Sequence, residues 1–479
     1  MKVGLKSVFT KESIQSQLKD IEDAKFEDIT VFKRKAVLIY IKSLQDYANL
    51  QLLVIKPLQD STDTRSVEDA LPFSQIVNDN DLSSLIRDIL NGYTVLLMEQ
   101  SDEIYKINTM KTSQRSIAPS ENEGTVLGPQ DAFTESLETN LSQIKKRIVN
   151  PYLKSPGLRI GTESGTEVAV MYLEHIANPS LVSKVLSRLK HVEHPGLLSA
   201  SQLNSLLEDH PFSPFPQLGL TQRPDNVTQA LLNGKVCILM NGSPEVIICP
   251  ITFYELFISP EDWYIRWTGG TAIRLLRVFG FFISIMLTSM YVSINTFHQE
   301  MLPPELLQLL LESRSKVPFS PLIEVLCIEL VIEILREAGA RMPAKIGQTI
   351  GVVGGIVIGT AAVEAGLASN VLIVLVSISA LLSFLPANYL LSTAGRLVRY
   401  AFIFGAGMFG LFGQMMVLAF LLSHLLKLTS MGHVYISTPM TSEQTDWRTS
   451  IYRAPILQWL KQSAAAKAGN RVKRPMDEE

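Results

Sequence analysis

The spacing of apolar and polar positions divides the chain near residue 265. Before that point, apolar runs are short and alternate with charged or turn-forming residues, the pattern of a globular α/β fold. From 271 to 425 come long stretches without any charge: Val278–Phe297, Ile346–Val363, Val371–Leu391 and Tyr400–Ser423. Each approaches the ~20 residues that a helix needs to cross a bilayer. The pattern predicts an α/β soluble N-terminal half followed by an α-helical transmembrane bundle of four or five spans. Five crossings place Arg336, Arg341, Lys345, Arg396 and Arg399 inside, as the charge rule favours, and the basic tail outside. Four crossings, with 317–340 re-entrant or interfacial, keep the tail inside and leave those arginines outside.

Within the front half a repeat is visible. "LNGYTVLLM" at Leu90–Met98 and "LNGKVCILM" at Leu232–Met240 each read as a helix end, a glycine cap and a buried strand. "AVLIYIKSL" from Ala36 and "VAVMYLEHI" from Val168 form a second strand-like pair. Two related α/β subdomains are expected, with the linker between them helical. In "GPQDAFTESLETNLSQIKKRI", residues 128–148, Phe133, Leu137, Leu141, Ile144 and Ile148 form one apolar stripe. That stripe has two possible mates, its own domain or a neighbouring subunit. The proline-dense "DHPFSPFPQLGLTQRPDNV", Asp209–Val227, reads as an extended, packed loop rather than helix or central strand. The expected organisation is a first subdomain at 1–125, the linker helix at 126–157, a second subdomain at 158–265, the membrane domain at 266–426 and a mobile polar tail at 427–479.

Two features of the membrane half carry chemistry. Glu324, Glu329 and Glu333 lie in an otherwise apolar segment, and Glu329, Glu333 and Glu337 share one helical face. Carboxylates at membrane depth are costly and face either a water-filled path or a cationic partner. Here the partners on offer are Arg314, Arg336 and Arg341, and both readings stand. Gly351, Gly355 and Gly359 recur at four-residue spacing in a greasy stretch that ends near Glu364. In lipid, such a doubled small-residue face brings helices into close backbone contact. Copies packed around an axis would place Glu364 as a carboxylate ring, a cation-selective device; a helix pair inside one chain would use the same face.

Composition narrows the functional classes. With 47% hydrophobic and 19% charged residues and a net charge of -3, the chain has the profile of a membrane protein and gives no sign of a nucleic-acid partner. "MKVGLKSVFTKESIQSQLKD" has no apolar core of a signal peptide, so the front half is expected to stay cytoplasmic. Cys237, Cys249 and Cys327 fit neither a disulfide framework nor a zinc site, and His191 with His194 stand alone. No cofactor or metal is expected. No nucleophile, base and orienting group converge in a readable motif, so an enzyme is not expected. The G-x-G-x-x-G at Gly405, Gly407 and Gly410 lies inside an uncharged run and reads as helix-packing glycine.

Several stretches together resemble the A subunits of GerA-type germinant receptors of endospore-forming bacteria. They are the 128–148 segment, "FSPFPQ" with "QRPDNV", "SPEDWYIRW", "FHQEMLP" and "EILREAGARMPAKIGQTIGVVGGIVIGTAAVEAGLASN". The likeness runs from about 125 to 425. It points to Phe212, Pro214, Phe215, Pro216, Arg223, Pro224 and Asp225 as a family-motif loop. Gln222 departs from the glutamate usual before Arg-Pro-Asp in that family. The resemblance implies an inner-membrane protein of the dormant spore that works with a transporter-like B subunit and a lipoprotein C subunit. It also implies a homo-oligomer that couples nutrient binding to release of monovalent cations, with Glu364, Glu324, Glu329 and Glu333 as ion-path candidates. A non-channel scaffold or adaptor, or a receptor-like paralogue, is the alternative.

Overall fold

The computed structural model describes residues 10–31, 34–60, 67–71, 74–76, 82–98, 104–110, 123–341, 355–436 and 452–453. Strands β1 (Ala24–Val31), β2 (Arg34–Ile41), β3 (Ser74–Ile76), β4 (Tyr93–Met98) and β5 (Ile104–Asn108) form an antiparallel sheet in the order β1-β2-β4-β5-β3. The next strands are β6 (Leu153–Lys154), β7 (Gly157–Ile160), β8 (Thr166–Leu173), β9 (Gly219–Thr221), β10 (Val236–Met240) and β11 (Val246–Cys249). Of these, β7-β8-β10-β11-β9 repeats the first order, and β6 pairs with the far end of β8. The two sheets share one topology, and the sequence repeats fall on equivalent elements.

Helices of eight or more residues are numbered α1 (Leu82–Leu90), α2 (Leu137–Arg147), α3 (Pro179–Lys190), α4 (Ala200–Leu207), α5 (Pro224–Leu232), α6 (Trp267–Phe297), α7 (Pro304–Arg314), α8 (Pro321–Arg341), α9 (Gly355–Glu364), α10 (Asn370–Leu382) and α11 (Tyr389–Lys427). Both Leu-Asn-Gly motifs end a helix and start a strand. α1 passes through Asn91 and Gly92 (φ +94°) into β4, and α5 passes through Asn233 and Gly234 (φ +81°) into β10. The left-handed glycine closes each helix at no steric cost and turns the chain into the sheet. α5 also corrects the extended reading of Asp209–Val227, because Pro224 occupies the first helical turn, where its missing N–H costs nothing.

The linker stripe faces inward. Phe133, Leu137, Leu141, Ile144 and Ile148 are all buried in the core of the second subdomain. The polar side of α2 is tied to the first subdomain: Lys145 pairs with Asp23, and Lys42 lies 2.7 Å from Glu138. Burial opposes ionisation of Asp23, but the Lys145 ammonium and the Ser43 hydroxyl hold its carboxyl below the usual range.

That second core does not stop at the soluble half. Phe215, Phe253 and Phe257 pack in the same cluster as Phe281 and Ile285 of α6 and Leu391, Phe402, Leu421 and Leu425 of α11. The chain beyond α11 also joins it. Leu428 and Tyr435 are buried there, and Tyr435 Oη donates to Pro216 O at 2.6 Å. The tail is therefore packed as far as Ile436, contrary to a polar, mobile segment starting at 427. Apart from Tyr452 and Arg453, the rest of it lies outside the described residues.

Among the described residues, two helices are long and apolar enough to cross a membrane, Trp267–Phe297 and Tyr389–Lys427, and the first part of the expected span Ile346–Val363 lies outside the described residues. The uncharged run Val371–Leu391 is broken by the loop between α10 and α11, which contains Pro386. The 39 residues of α11 would extend about 58 Å if straight, twice a bilayer's apolar thickness. Instead the helix reverses at Gly410 (φ 61°, ψ −141°). A methyl group added at Gly405 would lie 2.9 Å from Val417, although twelve residues of straight helix separate two positions by about 18 Å. α11 is thus two antiparallel arms, 389–409 and 411–427. Their turn meets Phe297 and His298 at the far end of α6, and their free ends return to the soluble half.

Candidate functional site

The family-motif loop lies at the junction of the soluble half with the membrane helices. Arg223, buried at 2% exposure, donates to Asp225 at 3.1 and 2.7 Å, to Thr125 at 2.8 Å, and to the carbonyls of Glu123 and Pro129 at 3.3 and 2.6 Å. A buried guanidinium is tolerated only when its donors are matched in this way. Tyr264 Oη donates to the same Asp225 carboxylate at 3.0 Å, so the "QRPDNV" and "SPEDWYIRW" segments meet on one ion pair. Burial and the Asp225 carboxylate push the Tyr264 phenol up to about 12. Upstream, Phe215 is buried, Ser213 Oγ lies 2.9 Å from His424 Nε2 at the end of the second α11 arm, and Phe212 is fully exposed. Pro214 and Pro216 shape this loop, and the Pro216 carbonyl accepts the Tyr435 hydroxyl. The Gln222 carbonyl accepts from Phe133 N at 2.8 Å, a backbone contact indifferent to the missing glutamate charge.

A second ionic node starts the membrane domain. Asp262, fully buried, accepts from Arg274 Nε at 3.2 Å and from Arg277 Nη1 at 2.8 Å, while Arg453 Nη2 donates to Trp263 O at 2.9 Å. Between this node, α5 and the 384–388 loop lies a cavity of about 430 Å³, bordered by Glu123, Asn226, Asn233 and Asn388. Loss of hydration pushes the Glu123 carboxyl up to about 7, against the Thr221 hydrogen bond and the Arg223 charge.

Deeper in the helices, each carboxylate of α8 has an arginine. Glu324, fully buried, pairs with Arg314 at 3.2 Å and accepts the Ser369 N–H at 2.8 Å, which joins α7, α8 and the start of α10. Glu329 pairs with Arg399 at 2.8 Å, both side chains at most 4% exposed. Glu333 lies 3.0 Å from Arg336 and 3.3 Å from Arg396, and Glu337 lies 2.6 Å from Arg341. The three arginines offered by the sequence are all engaged. Arg396 and Arg399, which charge counting assigns only to topology, are partners that sequence reading missed. The one available signal was spacing: acids four apart on α8 facing arginines three apart on α11.

The glycine face is placed differently. Gly351 lies outside the described residues. At Gly355 and Gly359 an added methyl group would meet nothing within 4 Å, and Ile356, Val357 and Ile358 beside them are exposed. Glu364 is exposed, with no hydrogen bond or ion pair among the described residues. The structure thus brings Glu324, Glu329 and Glu333 onto one internally paired helix and leaves Glu364 apart from them. No cluster of three or more potential metal ligands occurs among the described residues.

The family model for the Bacillus/Clostridium GerA spore germination protein matches residues 12–465. The chain is 37% identical over 459 residues to spore germination protein GerQA of Bacillus cereus, covering 95% of this chain and 92% of that one. It is 38% identical over 417 residues to spore germination protein A1 of Bacillus subtilis, covering 87% and 84%. At 32% identity over 453 residues it is also similar to the uncharacterized membrane protein YfkQ of Bacillus subtilis, covering 92% and 88%. Among solved structures, the N-terminal domain of the A subunit of the Bacillus megaterium spore germinant receptor GerK3 aligns with TM-score 0.39 and 24% identity, over 50% of this chain and 93% of that one.

Proposed function

This chain belongs to the GerA family of spore germination proteins, and on that premise we propose that it is the A subunit of a nutrient germinant receptor in the spore inner membrane. In this reading its copies assemble through the Gly351, Gly355 and Gly359 face, and Glu364 forms a carboxylate ring at the mouth of a monovalent-cation path. The observation that supports it is the open glycine face: among the described residues, two glycines at small-residue spacing have no neighbour within 4 Å, and the acid beyond them has no partner. Glu324, Glu329 and Glu333 then act as the paired scaffold that holds α8 beside the path. The front half faces the cytoplasm, and the chain works with a transporter-like B subunit and a lipoprotein C subunit. Its movement on nutrient binding reaches the helices through the core that Phe215 and Phe281 share. An even number of crossings fits the return of Leu428 and Tyr435 to the soluble half.

Reconstitution with the B and C subunits in liposomes tests this reading. Nutrient should evoke potassium or sodium flux from the wild type and at most a tenth as much from Glu364→Gln. Equal flux through the variant, or none through the wild-type complex, overturns the path; the chain would then be a scaffold or a receptor-like paralogue.

A further inference from the structure

Where α8, the end of α10 and the first arm of α11 meet, Glu329, Glu333, Arg336, Arg396 and Arg399 gather in one cluster. Among the described residues, three guanidiniums face two carboxylates, so one positive charge is left over. The neighbouring pairs Glu324 with Arg314 and Glu337 with Arg341 are already balanced. The stretch 342–354 that follows α8 adds Lys345 and no acid. Among the described residues, four donors of the cluster lack a hydrogen bond, Arg336 Nη1, Arg396 Nε, and Nε and Nη2 of Arg399, whose side chain is 3% exposed, against one acceptor, Glu329 Oε1. Glu333 stands within ion-pair distance of Arg336 and Arg396 yet satisfies neither of those donors, and it is the most exposed member, at 38%.

The depth of the cluster narrows the missing anion. Arg336 Nη2 donates to Ser383 Oγ at 3.3 Å and its guanidinium lies 4.8 Å from the Phe384 ring, at the point where α10 ends and the loop against the soluble half begins. A bilayer around α6 and α11 would present its headgroups at this end of the helices, beside the soluble half. An excess charge in a partly desolvated site calls for a counterion, and the fork of a guanidinium matches a tetrahedral phosphate. Basic pockets between helices at this depth take lipid headgroups. We infer that Arg336, Arg396 and Arg399 form a phosphate-binding site, filled by the phosphodiester of an anionic lipid or by free phosphate, which displaces Glu333 from between Arg336 and Arg396.

The test uses the full chain in three settings: nanodiscs of phosphatidylcholine, the same with phosphatidylglycerol, and phosphatidylcholine with inorganic phosphate added. Thermal unfolding and lipid retention by native mass spectrometry are read together. Phosphatidylglycerol should raise the wild-type midpoint and remain bound. The double variant Arg336→Gln/Arg396→Gln should retain it at least roughly tenfold more weakly, the scale of losing charged hydrogen bonds. Glu333→Gln should bind as tightly or tighter, and Arg396→Lys should keep most of the effect. These two variants decide the matter if the double variant does not fold. A rise with inorganic phosphate in phosphatidylcholine supports the site and names free phosphate as its source. No rise with either ligand, an undiminished rise in the double variant, or a rise abolished by Glu333→Gln overturns the site.

Discussion

The glycines of α11 and those of α9 lie in similarly apolar helices and have opposite surroundings. On the α11 side every small gap is filled from within the chain. A methyl group at Gly395 would lie 2.6 Å from Phe281, one at Gly407 would lie 2.7 Å from Leu322, and one at Gly413 would overlap the Gly405 carbonyl. On the α9 side, Gly355 and Gly359 meet nothing within 4 Å among the described residues. The acids divide in the same way: those of α8 are each matched by an arginine, whereas Glu364 has no partner among the described residues. Close backbone approach stabilises helices in lipid only when something approaches. The filled set therefore explains how one chain folds, and the empty set is where a second copy is expected.

The largest expected effect lies in the filled set. Gly413→Val drives a branched side chain into the facing arm, so the hairpin should not close, and monodisperse folded protein should be lost on size exclusion. Arg399→Gln leaves Glu329 buried and unpaired, a loss of about 3–5 kcal/mol. A markedly lowered unfolding midpoint checks it, and most of the loss should return in Glu329→Gln/Arg399→Gln. The smallest effect belongs to the open face. Gly359→Ala removes backbone freedom from an exposed helix and should stabilise a single chain by up to about 1 kcal/mol. Destabilisation of the isolated chain would mean that the face is covered from within and would dissolve the contrast.

Local signals were legible in the sequence. The two Leu-Asn-Gly motifs end helices and start strands because the glycine in each supplies the left-handed residue that closes a helix. The stripe from Phe133 to Ile148 is buried because helical periodicity dictates a face. Which neighbour fills that face, or pairs with a buried acid, is a non-local matter. Arg399 meets Glu329 across 70 positions of chain, and nothing near either residue encodes the pairing. The reversal at Gly410 was hidden for another reason. The uncharged run Tyr400–Ser423 has the length of one span, and only the non-helical backbone at Gly410 within Tyr389–Lys427 reveals two arms. Tyr435 was missed because a polar tail gives no sign of the aromatic slot beside Phe253 that receives it.

The most direct test of the central claim is the in-membrane mass of the full chain, extracted in native nanodiscs and weighed beside Gly355→Leu. If the open glycine face joins copies, the wild type has a defined oligomeric mass and the variant falls to a single chain with an unchanged unfolding midpoint. A wild type that is already monomeric, or a variant with the wild-type oligomeric mass, would contradict it.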